Sequence, residues 1–184
     1  MNKKFNPRIK VRLRKNRQVL NKNIDNFFGW VKGAKLVELK ECNIEEDPVR
    51  PELDNIFRTG YGRKIYGVEY LGEIHAVMCF AYTNKIPKSV DELEKLSTDA
   101  FLQTAMRDQA GGQIAIAYTV WSKKKGGGKL IVKEVFKKIK KSNHLNRLVT
   151  LSPLTEMATK FHTRNGAKLV QINETTKNFE YKVL

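Results

Sequence analysis

The sequence predicts an α/β (α+β) fold in one domain, and three observations carry that expectation. Short apolar or alternating runs suited to strands repeatedly give way to amphipathic runs of helical period. The 184 residues, 41% of them apolar, are enough to bury a core without metal or disulfide staples. No internal repeat and no low-complexity linker divides the chain.

The elements follow in order. From Val19 an apolar stripe of Leu20, Ile24, Phe27 or Phe28, and Val31 has helical spacing, and Gly33 marks its end. Residues 35–40 (KLVELK) alternate and read as a first strand. Residues 51–58 (PELDNIFR) read as a helix with Pro51 at its first position and Leu53, Ile56 and Phe57 on its apolar face. Two strands over 64–70 and 74–82, joined by Leu71-Gly72-Glu73, make a hairpin. Ser89-Val90-Asp91-Glu92 is close to a capping box and opens a helix that continues through Met106.

The second half is more regular. Residues 113–121 (QIAIAYTVW) form a buried-strand run that leads into Gly126-Gly127-Gly128. Residues 129–141 make an amphipathic helix with Ile131, Val135 and Ile139 on one face and lysines on the other. A short strand over 148–151, a helix over 154–164 and strands over 166–172 and 179–183 complete the chain. From residue 35 the expected order is β, α, β, β, α, β, α, β, α, β, β. Residues 1–34 read as a basic arm plus helix, and residues 35–184 as a single domain.

Charge narrows the ligands. Lys plus Arg number 35 against 19 acids, a net charge of +16, and residues 1–40 alone carry +10 of it. Such a chain attracts polyanions, either phosphate-bearing ligands or nucleic acid. For the arm, a solvated tail is favoured over a weak, non-specific nucleic-acid contact, because no aromatic stacking pattern accompanies it. No run approaches the roughly eighteen apolar residues that span a bilayer, so no membrane contact is expected. Cys42 and Cys79 are the only cysteines, with no CxxC spacing and no histidine cluster. A disulfide scaffold and a metal site are therefore not expected, and the setting reads as a reducing cytoplasm.

The candidate ligand loop lies between strand and helix at Lys123-Lys124-Lys125-Gly126-Gly127-Gly128-Lys129. Consecutive glycines let backbone N–H groups approach an anion, and the helix N-terminus adds partial positive charge. A side chain introduced at Gly127 is expected to intrude on that anion. The spacing is not that of a Walker A loop. A plain turn with solvating lysines explains the same residues equally well.

Two of the three histidines read as structural. His75 falls inside a strand and His144 in a polar loop. His162 lies near a helix C-terminus, and its ordinary titration range suits proton transfer near neutrality. Ser152 precedes Pro153 where a helix is expected to begin, so its hydroxyl reads as an N-cap or as a reactive group. Trp30 and Trp121 read as core anchors, Trp121 alternatively as part of a ligand channel.

Lys123-x-x-Gly126-x-Gly128 after a strand resembles the acyl-CoA pyrophosphate loop of the GNAT acetyltransferase superfamily. Phe161-His162-x-x-x-Gly166-Ala167 resembles that superfamily's late helix-to-strand motif. Residues 149–154 (VTLSPL) and 161–167 (FHTRNGA) are similar to two signature segments of the malonyl-CoA decarboxylase family, which uses the same fold. The similarity extends over 72–90, to Asn178-x-x-Tyr181, and more faintly to 49–63. Unlike that family, this chain has only nine residues between Ser152 and His162, and no acid beside its glycines.

The resemblance implies a mixed, mostly antiparallel central sheet flanked by helices, with coenzyme A bound as malonyl-CoA or acetyl-CoA. It implies Ser152, His162 and Tyr181 as catalytic residues. It implies Val120, Trp121, Ser122, Lys123, Lys124, Lys125, Gly126, Gly127, Gly128 and Lys129 as the CoA-binding segment. The implied reaction is decarboxylation of malonyl-CoA, with the strand at 118–121 offering an N–H to the thioester oxygen. Ser152 would orient the carboxylate, and His162 would protonate the α-carbon. An alternative is acyl transfer to an amine, for which Asp91, Glu92, Glu94, Asp99 and Asp108 would receive the acceptor's charge. A second alternative is a non-enzymatic nucleic-acid-binding protein.

Overall fold

The computed structural model describes residues 29, 30, 32–107 and 112–181. The chain divides into two units, residues 1–34 and 35–184. In the first, Gly29, Trp30, Lys32 and Gly33 are helical, and the Ala34 N–H donates to the Trp30 carbonyl at 3.0 Å. The rest of the expected arm and its apolar stripe, including Val31, lies outside the described residues, as does Asp108.

The second unit runs β1 (Lys35–Leu39), α1 (Asn55–Thr59), β2 (Lys64–Tyr70), β3 (Glu73–Thr83), α2 (Val90–Arg107) and β4 (Ile114–Ser122). It continues with α3 (Gly127–Lys140), β5 (Arg147–Thr150), β6 (Ser152–Pro153), α4 (Glu156–Arg164), β7 (Ala167–Ile172) and β8 (Thr176–Tyr181). The expected order is present, with β6 as an extra two-residue strand. The eight strands form one mixed sheet in the order β1-β2-β3-β4-β5-β8-β6, and β7 pairs with β8. Every pairing is antiparallel except β4 with β5.

Local chemistry sets the boundaries. Leu71 and Gly72 turn the β2–β3 hairpin at φ 53° and 81°, the paired positive angles that match the strands' right-handed twist. The first helix begins later than Pro51 suggests. Asp54 is its cap and accepts from the Phe57 N–H at 2.7 Å, so residues 51–53 stay non-helical. The α3 helix begins at Gly127 rather than Lys129, with Gly126 as its N-cap at φ 85°. It buries Ile131, Val135 and Ile139 against the sheet. On the opposite face, Leu93 of α2 packs with Ile65, Cys79, Ile116, Tyr118 and Leu151.

The parallel β4–β5 pairing stops early. Its last partners are Ala117 and Thr150, closed by the Leu151 N–H donating to the Ala117 carbonyl at 2.9 Å. Past that point β4 continues along β3, while the other branch stays on β8, first through β5 and then through β6. A bulge between Cys79 and Phe80 in the β3–β4 register leaves Tyr118 unpaired. The two strands therefore open into a fork.

A buried charge cluster sits beside the fork. The Asp47 carboxylate accepts from Arg58 Nη2 at 2.9 Å, from the Thr119 hydroxyl at 2.8 and 2.9 Å, and from the Val49 and Arg50 N–H groups. The Arg58 and Asp47 side chains are fully buried. Arg58 also donates to the carbonyls of Leu53 and Arg50. Removing the carboxylate strands a guanidinium in a dry interior, which costs about 3–5 kcal/mol. Asp47→Ala is therefore expected to lose about that much unfolding free energy in urea titrations. A loss below about 1 kcal/mol would show that the cluster is not the tie it resembles.

Candidate active site

A cavity of about 220 Å³ threads the fork. It takes lining from one sheet face (Met78, Ala117, Leu148) and from the other (Val49, Tyr118, Trp121). Val120 and Ser122 from β4 and Gly128 from α3 complete that side. Ser152, His162 and Tyr181 form the facing wall, each at most 6% exposed.

Each of these three is placed by a different element. Ser152 lies on β6, fixed by its pairing opposite Lys177 of β8. His162 lies in the last turn of α4, and Tyr181 ends β8. Ser152 Oγ is 2.8 Å from His162 Nε2, and His162 Nδ1 is 2.9 Å from the Tyr181 hydroxyl. Ser152 also donates to Thr150 Oγ1 at 2.9 Å, and that oxygen accepts from the Phe179 N–H. Asn178 Nδ2 donates to the Thr150 carbonyl at 2.9 Å and to that of Pro87 at 3.0 Å, which ties the wall to the loop before α2.

Two expectations are corrected. Ser152 is not a helix cap, because α4 begins at Glu156 and Thr155 Oγ1 takes the Ala158 N–H at 3.2 Å. Nor does His162 titrate near neutrality. Phe179 stacks on its ring at 5.1 Å, Phe161 meets it edge-on, and burial pulls its pKa down to about 4. The imidazole is neutral at pH 7. Ser152 spends its own proton on Thr150 Oγ1 and so accepts from Nε2, which leaves Nδ1 as the acceptor of the Tyr181 hydroxyl. Nε2 then carries the proton and turns it toward Ser152 and the cavity.

The glycine segment also differs in detail from its sequence reading. A Cβ at Gly127 would lie 2.9 Å from Ser122 Cβ and 3.3 Å from Ala76 Cβ, so this glycine serves helix–sheet contact rather than ligand approach. Gly128 is the one that lines the cavity. The N–H groups of Gly128 and Lys129 have no acceptor among the described residues. The cavity adjoins a second depression of about 660 Å³, sharing Ser122, Gly128, Met157 and Phe161 with it, where Lys129, Lys160 and Arg164 add positive charge. Lys160 also pairs with Glu156 at 2.5 Å.

The structure separates the loop lysines by role. Lys123 pairs with Glu46 at 2.6 Å, and Lys124 sits 4.8 Å above the Tyr70 ring. Neither they nor Lys125 line either cavity. Lys160 went unread in the sequence, since a lone helical lysine carries no signal. Of the acids expected to meet an acceptor amine, none of the described ones lines the fork cavity, and its wall contains no carboxylate. Among the described residues no group of three or more His, Cys, Asp and Glu could hold a metal, and no helix is long and apolar enough to cross a membrane.

No protein-family model matches the sequence, and no curated protein matches it. Solved structures do. The GphF GNAT-like decarboxylase in complex with isobutyryl-CoA superposes with a TM-score of 0.63 at 9% identity, over 82% of this chain and 100% of that one. The chain has the GNAT fold. The loading GNATL domain of CurA from Lyngbya majuscula (TM-score 0.56, 14% identity, 81% and 97% coverage) shares it. So does a Bacillus subtilis acetyltransferase in complex with CoA (0.55, 13%, 82% and 99%). The mixed, mostly antiparallel sheet flanked by helices is thus that of GNAT structures.

The neutral burial of His162 has a measurable consequence. Its ordinary pKa is about 6.5, whereas in the fold it is about 4. Between those values the unfolded chain binds a proton that the folded one refuses, so stability is full above pH 6.5 and falls toward pH 4. Urea unfolding followed from pH 7.5 to 4.5 is expected to show a shallower acid loss for His162→Gln than for the wild type. Parallel curves would contradict a neutral, buried imidazole.

Proposed function

We propose that this chain binds acyl-CoA and decarboxylates malonyl-CoA to acetyl-CoA and CO2. The observation that carries the reading is the buried Tyr181–His162–Ser152 chain on the wall of an apolar cavity without carboxylates. Such a wall suits an acyl group whose chemistry needs one proton and no acceptor. An incoming ammonium would find no acid there to receive its charge, which disfavours amine acylation.

The phosphate end fits the second depression. The N–H groups of Gly128 and Lys129 at the α3 N-terminus, with Lys129, Lys160 and Arg164, supply donors and positive charge for a pyrophosphate. The apolar channel past Trp121, Met157 and Phe161 leads from there into the fork.

In the fork, loss of CO2 breaks the bond between the carboxylate carbon and the α-carbon. The electron pair moves onto the thioester oxygen as an enolate. A backbone N–H freed by the β4 bulge around Tyr118 meets that oxygen, and a preorganised donor at developing charge lowers the barrier. Ser152 turns its hydroxyl from Thr150 Oγ1 to hold the carboxylate. The α-carbon then takes the proton from His162 Nε2. Because the imidazole starts neutral, the lost proton is replaced at Nδ1 by the Tyr181 hydroxyl; a solvent proton taken up at Nε2 then lets Nδ1 return its own to the phenolate.

The test follows the acyl-CoA pool by mass with no amine present. Wild-type protein should convert malonyl-CoA to acetyl-CoA. His162→Ala should slow this by roughly a hundredfold or more, the scale of a lost general acid. Ser152→Ala should slow it less, and both variants should bind CoA as the wild type does. Intact malonyl-CoA together with acetylation of an added amine would replace this reading with a transferase.

A further inference from the structure

The chain has two cysteines, Cys42 and Cys79, and the proposed chemistry uses neither, since neither lines the fork cavity. The fold brings both to one side of α1. Asn55 holds the Cys42 backbone at both ends: the Cys42 N–H donates to Asn55 Oδ1 at 3.0 Å, and Asn55 Nδ2 donates to the Cys42 carbonyl at 3.0 Å. The Cys42 thiol donates to the same Oδ1 at 3.5 Å. One turn further along α1, Arg58 Nη1 donates to Cys79 Sγ at 3.4 Å. Cys42 packs against the core cluster that contains Cys79, and the Cys79 thiol hydrogen-bonds to the Cys42 sulfur.

The two sulfurs are unequal. Cys42 is half-buried and Cys79 fully buried. The hydrogen bond from the Cys79 thiol, helped by the Arg58 charge, holds the Cys42 thiol below its ordinary range. Burial pushes the Cys79 thiol well above that range. A thiol within reach of solvent that ionises readily, beside one that is shielded and stays protonated, divides the labour of attack and resolution.

The geometry points to Cys42 and Cys79 as a reversible thiol–disulfide site, oxidised by a peroxide and reduced by a dithiol. The Cys42 thiolate attacks one oxygen of hydrogen peroxide. The O–O bond breaks, the sulfur becomes a sulfenic acid, and the departing hydroxide takes up the proton the thiol released. The Cys79 sulfur then attacks the Cys42 sulfur. The S–S bond forms, the S–O bond breaks, and the Cys79 proton leaves with the hydroxyl as water. Two thiols have then lost two electrons and two protons, and one peroxide has become two waters. A dithiol reverses the bridge by exchange. The bridge ties the segment just before Asp47 to β3 at Cys79, whose partner across the β3–β4 pairing is Thr119, the residue that Asp47 holds. In a reducing setting such a pair rests as thiols and bridges only under oxidant, so it acts as a switch rather than a scaffold. The site stands whether or not the fork decarboxylates malonyl-CoA.

The test oxidises folded wild-type protein with hydrogen peroxide, then blocks remaining thiols with N-ethylmaleimide in denaturant and reads intact and peptide masses. The expected product is a single chain lighter by two hydrogens that takes up no maleimide and yields one peptide pair joined through Cys42 and Cys79. Dithiothreitol should restore both thiols. The urea midpoint of the bridged protein should rise, because the closed loop restricts the unfolded chain. In Cys79→Ser the reaction should stop at a Cys42 that dimedone traps as sulfenic acid; Cys79→Ala takes its place if the serine variant does not fold. In Cys42→Ser, Cys79 should stay a free thiol at the same peroxide dose. Two free thiols after peroxide overturn the assignment, as do oxygen retained on Cys42 beside a free Cys79 in the wild type, bridges between chains, and a bridge that forms only in urea. A bridge that lowers the urea midpoint also counts against it, since the fold would then have been distorted to bring the sulfurs together.

Discussion

The separation of β4 from β5 after Ala117 is the constraint on which the rest depends. Two parallel strands that stop pairing in a protein interior expose carbonyl and N–H groups that must find partners. Here Arg50 takes the Tyr118 and Leu151 carbonyls, and Asp47 anchors both the Arg50 backbone and Thr119 of β4. Arg58 neutralises Asp47 in turn. The loop from Asp47 to Arg50 thus works as a wedge that bridges the fork and supplies Val49 to its lining.

The far wall is built by β8. One strand positions Ser152 by pairing with β6, carries Asn178 to the Thr150 carbonyl, buries Phe179 against the His162 ring and ends in Tyr181. Burial then sets the chemistry. The same rings that hold the imidazole in place exclude water and keep it uncharged at neutral pH. In the proposed reaction, a neutral imidazole with a phenol on its rear nitrogen would deliver a proton forward and be refilled from behind. That directionality would come from the order of hydrogen bonds, Tyr181 to His162 to Ser152 to Thr150, rather than from any carboxylate, and the cavity wall holds none.

Much of the fold was legible because hydrophobic period changes sharply between neighbouring segments. The run at 113–121 and the Ile131, Val135, Ile139 stripe identify β4 and α3 without reference to anything distant. Boundaries shifted where a side-chain cap decided them, as Asp54 and Thr155 do. The histidine's position was legible, but its environment was not, because Phe179 and Tyr181 reach it from 17 and 19 residues away. The Asp47, Arg50, Arg58 and Thr119 cluster left no local trace. An arginine in a polar loop reads as solvated, and only a contact across 72 residues shows that it is not.

The most direct test of the account is a crystal structure with a malonyl-CoA analogue that cannot lose CO2. The account predicts the pyrophosphate at Gly128 and Lys129, the acyl carbonyl against β4 near Tyr118, and the carboxylate at Ser152. An analogue whose acyl end lies in solvent, outside the fork cavity, would contradict it.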